Sequence, residues 1–360
     1  MTFPEPQDKG ELQSFSATLL KWNKQKNNRQ MPWKGEKDPY KIWLSEIILQ
    51  QTRVEQGLKY YNRFIHAFPD VHQLAKASEQ SVYKHWEGLG YYSRCKNLIA
   101  TARIISKDLK GKFPGDYEEL KQLKGIGPYT AAAIASFAFN EQRAVVDGNV
   151  YRVLSRVFGI DEPIDSSDGK KTFNALAGKL LDKRNPALYN QAIMDFGAVV
   201  CKPVPTCDQC PFKKKCRAFL DDSFFSLPVK GKKVLVKKRW FNYVLLEHKE
   251  KLAIRQRLGK DIWYNLFEFL LVESGKRLDE KEIVKEAKRR WVGANDYEIE
   301  YVSTVFKQQL SHQLIEGRFT KIKLFKRPEL PPDILWIRKK ELKRYAFPMF
   351  INQHLRELHD

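Results

Sequence analysis

The sequence predicts a multidomain protein: an all-α half over 1–222, a linker over 223–238 and an α+β half over 239–360. Three observations predict it. Apolar residues recur at helical spacing through the first half with no strand-like alternation, and from Trp240 the period changes to that of strands. Between the two regimes lies DDSFFSLPVKGKKVLVKKR, turn-rich and then strongly basic. The 360 residues are enough for two cores of ordinary size.

Residues 11–28 read as a short amphipathic helix with Phe15, Leu19, Leu20 and Trp22 on its apolar face, and RQMPW (29–33) as a turn. The next helix starts with Asp38 as N-cap and Pro39 at its first position. It is apolar except for Glu46, whose helical neighbours are Ile42, Trp43, Leu49 and Gln50. A carboxylate desolvated in this way has its pKa raised and becomes a proton donor near neutrality where a substrate can reach it. The plain alternative is a buried glutamate paired with Arg or Lys.

Helical spacing continues from Val54 to Ser106, with loops at Phe68-Pro69 and Gly88–Tyr92. The second loop, GLGYYSRCK, sets two glycines before two tyrosines expected to be exposed, and an aromatic there suits a wedge between bases. The plain alternative is an ordinary helix–helix turn whose tyrosines pack inward. In LKQLKGIGPYTAAAIASFAF (120–139), Gly125 and Gly127 make a tight hairpin and Pro128 starts a helix. The outward amides of such a hairpin can hold a phosphate without reading bases. The stretch resembles the helix-hairpin-helix motif of DNA repair proteins. In VVDGNV, Asp147 and Asn149 are placed to cap the helix YRVLSRVF.

Cys201, Cys207, Cys210 and Cys216 fall within sixteen residues, a compact four-thiolate set suited to an iron–sulfur cluster or to zinc. Lys202, Lys213, Lys214, Lys215 and Arg217 surround it. Cys95 stands apart without a role. In the second half, strands are expected at Trp240–Leu246, Leu252–Arg257, Leu266–Val272 and Phe319–Phe325, and helices near 279–291 and 349–358.

The formal charge of +21 and 12% aromatic content point to a polyanionic partner, nucleic acid before an anionic membrane, although a basic surface also serves solubility alone. No apolar run approaches a membrane span, and MTFPEPQDKGELQ lacks the regions of a secretory signal, so a cytoplasmic protein is expected.

With MPW, DPYKIWLSEIILQQTRVE, WEGLGYYSR, LKGIGPYTAAAIASFAF, VDGNVYRVLSR and the terminal AFP in hand, the chain resembles the helix-hairpin-helix DNA glycosylases that carry an iron–sulfur cluster, and within them the MutY-type adenine glycosylases, over nearly its full length. The resemblance implies a helix-hairpin-helix glycosylase domain with a [4Fe–4S] cluster on the four cysteines, followed by a MutT/Nudix-like domain. It implies a monomer, not membrane-bound, acting on double-stranded DNA that carries an adenine:8-oxoguanine mispair. It makes Glu46 the acid that protonates adenine N7, Asp147 the stabiliser of charge on the sugar, and Tyr129 and Asn149 their holders. Tyr129 stands where bifunctional relatives resembling endonuclease III have a Schiff-base lysine, which implies base removal without efficient strand cleavage. Arg29, Met31, Trp33 and Gln191 fall on the adenine pocket, Gln51 and Tyr91 on the wedge, Thr52 and Leu89 beside the lesion strand, and Ser311 and His312 on the loop that inspects 8-oxoguanine.

Two departures stand out against the family pattern. Leu310 replaces the phenylalanine before Ser311, and the interval from Cys201 to Cys207 is one residue short. The stretch DEKEIVKEAKRRW lacks the glutamate-rich Nudix box, so nucleotide hydrolysis is not expected. The competing readings are a glycosylase for another mismatched base, such as thymine opposite guanine, a non-catalytic damage-binding protein, and a simple zinc protein.

Overall fold

The computed structural model describes residues 9–231 and 235–357; positions 232–234 of the expected linker, and 1–8 and 358–360, lie outside the described residues. The chain resolves into two compact units, one of 9–75 with 100–231 and one of 76–99 with 235–357. Residues 76–99, read from sequence as part of the helical half, thus group with the α+β half.

The first unit is helical. Its elements are α1 (Lys9–Lys26), α2 (Pro39–Leu49), α3 (Val54–Ala67), α4 (Val71–Lys76, at the unit's edge), α7 (Tyr117–Gln122), α8 (Pro128–Phe139), α9 (Gly148–Phe158), α10 (Ser167–Leu180), α11 (Pro186–Val199) and α12 (Arg217–Leu220). Apolar faces of α1, α9, α10 and α11 close one core through Leu19, Trp22, Val153, Leu154, Phe173 and Phe196. The Trp22 and Phe196 rings meet edge-on at 5.0 Å. Almost all of α2 is buried, from Ile42 to Ile48, and it packs on α3 and α8. Alanines Ala131, Ala132, Ala133 and Ala135 of α8 leave room for that approach.

The second unit opens with α5 (Glu79–Trp86), takes the first half of α6 (Tyr92–Lys107), and continues as a nine-stranded sheet. Its axis is β1 (Lys237–His248), antiparallel to β2 (Lys251–Gln256) and β4 (Leu270–Ser274), and parallel to β7 (Gln313–Gly317) at one end and β8 (Phe319–Leu324) at the other. Short β3 (Phe267–Glu268) and β9 (Ile334–Arg338) extend it beyond β2, β6 (Phe306–Gln309) beyond β7, and β5 (Tyr297–Val302) beyond β8. Helix α13 (Glu280–Ala287) carries a capping box from Asp279 and Glu282 and runs on into a π-turn over Lys288–Val292; α14 (Met349–Glu357) closes the described chain. Expected strands coincide with β1, β2, β3–β4 and β8, whereas β5, β6, β7 and β9 escaped notice because they are short and carry exposed charge such as Glu298 and Lys307.

His354 of α14 is 2% exposed, stacked 4.0 Å from the Phe319 ring, with Nε2 2.8 Å from the Tyr301 hydroxyl. Burial pulls its pKa down from 6.5 to about 4. The native state therefore binds fewer protons than the unfolded chain between these values, and stability falls as pH drops through that window. We expect wild-type protein to lose up to about 3 kcal/mol from this group between pH 7 and 4. His354→Phe should flatten that acid limb in thermal melts; an unchanged limb would count against the assignment.

Candidate active site

Asp38 caps α2 by accepting from the Tyr40 amide at 2.9 Å, and Pro39 follows it, so the helix begins where the sequence indicates. Two turns later, among Ile42, Trp43 and Leu44, Glu46 is carried inward. It is 7% exposed and lines a cavity of about 760 Å³. Burial lifts its pKa from 4.5 to about 7; nearby Asp147 adds to the rise, and a hydrogen bond donated by the Tyr129 phenol opposes it. Among the described residues Glu46 has no ion pair with Arg or Lys, which removes the plain alternative for this carboxylate.

Asp147 faces the same cavity as the N-cap of α9. Oδ1 accepts from the amides of Asn149 and Val150 at 2.8 Å each, and Oδ2 accepts from Asn149 Nδ2 at 2.8 Å. Burial raises its pKa while these hydrogen bonds and Arg152 hold it back. Asn149, expected as a capping residue, instead sits inside the first turn and holds the cap. Its Oδ1 accepts from Arg152 Nη2 at 2.9 Å, and Arg152 also donates to the carbonyls of Gly197 (2.6 Å) and Cys201 (2.7 Å). A Cβ on Gly197 would lie 2.8 Å from Asn149 Cβ, so glycine is what lets α11 come this close to α9.

Arg29, Met31, Trp33, Gln51, Thr52 and Gln191 line the same cavity. The Trp33 ring meets Tyr61 edge-on at 5.2 Å, and the turn before α2 is closed by Lys34 N donating to Met31 O at 3.0 Å. Two groups here were invisible from sequence: Lys34, and Asp195 of α11, a fully buried carboxylate that pairs with both Arg29 and Lys34 at 2.9 Å. The available signal was the i,i+4 pair Gln191/Asp195 on a largely apolar helix.

The remaining assignments fall elsewhere. Gly125 takes φ +77°, as a tight turn requires, and Gly127 (φ −86°, ψ 178°) is the N-cap of α8 with open space where a Cβ would stand. Gln51 is exposed at φ +55°. In the second unit Tyr91, 44% exposed, adopts φ +47°. A positive φ in a bulky residue is a held, strained conformation. The Tyr91 hydroxyl hydrogen-bonds the Ser311 hydroxyl. Ser311 and His312 are exposed at the β6–β7 turn, closed by Leu310 N donating to Gln313 O at 2.7 Å. Leu89 is buried in the core. So is Tyr92, expected to be exposed: its ring stacks on Tyr83 at 6.4 Å and its hydroxyl accepts from Gly88 N, so the loop turns one tyrosine out and one in.

The four thiols Cys201, Cys207, Cys210 and Cys216 line one cavity, walled by Phe196, Val200 and Phe219. Arg156 Nη1 lies 3.7 Å from Cys201 Sγ and donates to Lys202 O at 2.8 Å, setting a positive charge beside the thiols. Among the described residues no three of His, Cys, Asp or Glu close around a single-ion position. A soft four-thiol set around a common apolar cavity with a cation beside it fits a thiolate-bound metal group.

Residues 44–179 match the model of the HhH-GPD superfamily of base excision DNA repair proteins, and 242–357 match that of the NUDIX domain. The adenine DNA glycosylase of Buchnera aphidicola subsp. Baizongia pistaciae is 34% identical over 306 residues, 83% of each chain. This chain belongs to the adenine DNA glycosylases. The human adenine DNA glycosylase is 41% identical over 221 residues, 59% of this chain and 40% of the human one. A thermostable thymine-DNA glycosylase superposes with a TM-score of 0.54 at 28% identity, covering 59% of this chain and 98% of its own. The adenine DNA glycosylases are hydrolases of N-glycosidic bonds in base excision repair, and here the HhH-GPD match contains Glu46, Tyr129 and Asp147. Among the described residues no helix is long and apolar enough to cross a membrane.

With the Glu46 pKa near 7, the acid form is depleted as pH rises, so single-turnover base release should fall tenfold per unit above that value. Glu46→Gln should abolish release at all pH. It should also raise stability at pH 8 by on the order of 2–3 kcal/mol. The sign follows because the native carboxyl keeps its proton to about 7 while the unfolded one loses it near 4.5. A pH-independent rate, or a variant less stable at pH 8, would contradict this reading.

Proposed function

We propose that the protein flips adenine mispaired with 8-oxoguanine out of double-stranded DNA and hydrolyses its glycosidic bond without cutting the strand. The observation that carries this is the pairing of two carboxylates in different states on one cavity: buried Glu46 held protonated near neutrality, half-buried Asp147 tied by three hydrogen bonds. Protonated Glu46 delivers its proton to adenine N7, so the base leaves neutral. Asp147 stabilises the positive charge that then develops on the deoxyribose. Glu46, now ionised, draws a proton from the attacking water. Tyr129 supports Glu46 by hydrogen bond and, lacking an amine, offers no route to a Schiff base. Asn149 fixes Asp147.

Arg29, Met31, Trp33 and Gln191 hold the extruded base in this reading. Gln51 and Tyr91 enter the duplex, and their positive φ supports a conformation kept for that purpose. Thr52 and the backbone at Leu89, whose side chain is buried, lie by the lesion strand, and the backbone amides around Gly125 and Gly127 take a phosphate. Ser311 and His312 inspect the 8-oxoguanine, which the exposed turn and the Tyr91–Ser311 contact support. Catalysis and the cysteine loop belong to a functional domain over 1–222 and lesion inspection to 239–360, joined through 223–238. Cys201, Cys207, Cys210 and Cys216 would hold a [4Fe–4S] cluster, which when bound cross-links their loop. The protein works as a cytoplasmic monomer.

The test is single-turnover excision on duplexes carrying adenine opposite 8-oxoguanine and opposite cytosine, resolved with and without alkali. We expect excision at the first mispair only, with breaks that need alkali. Excision of neither, with binding retained, would favour a damage-binding protein, and breaks without alkali would overturn the monofunctional assignment. The purified protein should be brown, absorbing near ~400 nm; a colourless, zinc-loaded protein would replace the cluster assignment.

A further inference from the structure

We propose that Asp195 is a positioning residue that makes the pocket select a 6-amino purine over a 6-oxo purine, by holding Gln191 with its carbonyl oxygen turned toward the cavity. The inference rests on the adenine reading above and deepens it.

Asp195 lies on α11 with no solvent exposure, flanked by the Arg29 and Lys34 cations at 2.9 Å each. Facing two cations and two amide donors, the carboxylate serves only as an acceptor. Each of its oxygens accepts two. Oδ1 takes Arg29 Nη1 and Gln191 Nε2, both at 2.9 Å. Oδ2 takes Lys34 Nζ at 2.9 Å and Asn27 Nδ2 at 2.8 Å.

An amide has two unlike ends. Only the NH2 end of Gln191 can face an anionic acceptor; turning the amide over would press Oε1 against Oδ1 and strand an N–H. Gln191 itself lines the cavity, half-buried. The Asp195 charge therefore fixes an acceptor, Gln191 Oε1, on the wall that the base meets. The N6 amine of adenine donates to it. The O6 of guanine or hypoxanthine sets acceptor against acceptor in a site short of water, where an unmatched polar contact is most costly.

A purely structural role for Asp195, tying the 27–34 turn to α11, predicts something different. Its loss would then slow removal of every base by a common factor. Only the orienting role changes the ratio between bases.

The experiment uses the full chain and single-turnover excision from duplexes carrying adenine or hypoxanthine opposite 8-oxoguanine. The variants are Asp195→Asn, Gln191→Met and the double variant, with melting curves run alongside. Asp195→Asn lets the Gln191 amide turn either way, so the adenine/hypoxanthine rate ratio should fall by about tenfold or more. Gln191→Met keeps the ion pairs and removes the amide; it should lower the ratio similarly, and the double variant should go no lower than Gln191→Met alone. Equal slowing of both bases by Asp195→Asn, with the ratio unchanged, overturns the inference. Should Asp195→Asn not fold, Gln191→Met decides: a retained ratio overturns the inference and a lowered one supports it. Wild-type protein that releases adenine while the variants keep its ratio leaves the adenine reading standing and removes this inference alone. Wild-type protein that releases no adenine removes both.

Discussion

Keeping one carboxylate dry beside a cavity is the constraint on which the helical unit depends. An ionised glutamate among Ile42, Trp43 and Leu49 would be costly, and no cation compensates Glu46 in the described structure. The proton is the compensation. Helix α2 is buried over most of its length, the small residues of α8 let it pack closely, and Tyr129 offers a donor that stops the pKa from rising further. Without the packing Glu46 would ionise into solvent; without the Tyr129 donor its pKa would climb further.

The other carboxylates of the region solve the same problem differently. Asp147 is stabilised by amides at a helix start and Asp195 by two cations and two side-chain amides. Three acids within one helical unit are thus neutralised by a proton, by dipoles and by ion pairs. The means of neutralisation decides what each can do. A proton held near neutrality can be given away; a charge tied by hydrogen bonds stays available to meet another charge; a carboxylate with both oxygens doubly occupied can only hold its neighbours in place.

Much of this was legible in the sequence where the cause is local. Asp38-Pro39 specifies a helix start, Asp147 a cap, and an apolar helix with one acid specifies a desolvated acid, all from spacing within a few residues. Asp195 was not legible, because its meaning comes from Arg29, 166 positions away, and on its own helix it resembles a solvated turn residue. The same holds for Tyr92, whose inward turn depends on Tyr83, and for the short strands β5, β6 and β7, whose identity comes from pairing with β8, β7 and β1 in turn rather than from their own composition. The sequence boundary near 222 followed a change of period, whereas the spatial grouping of 76–99 follows side chains that reach across the chain.

That grouping bears on how the protein is made. Glu87 accepts from Phe347 N at 2.8 Å and from Asn352 Nδ2 at 3.0 Å, and Lys84 donates to Tyr345 O at 2.9 Å. These bonds join residues some 260 positions apart. On the ribosome, α5 waits through the synthesis of some 260 further residues before its partners exist. Nascent protein therefore carries an unfinished surface on α5 until residues 345–352 have been made, and a chain stalled before them leaves that surface without these bonds.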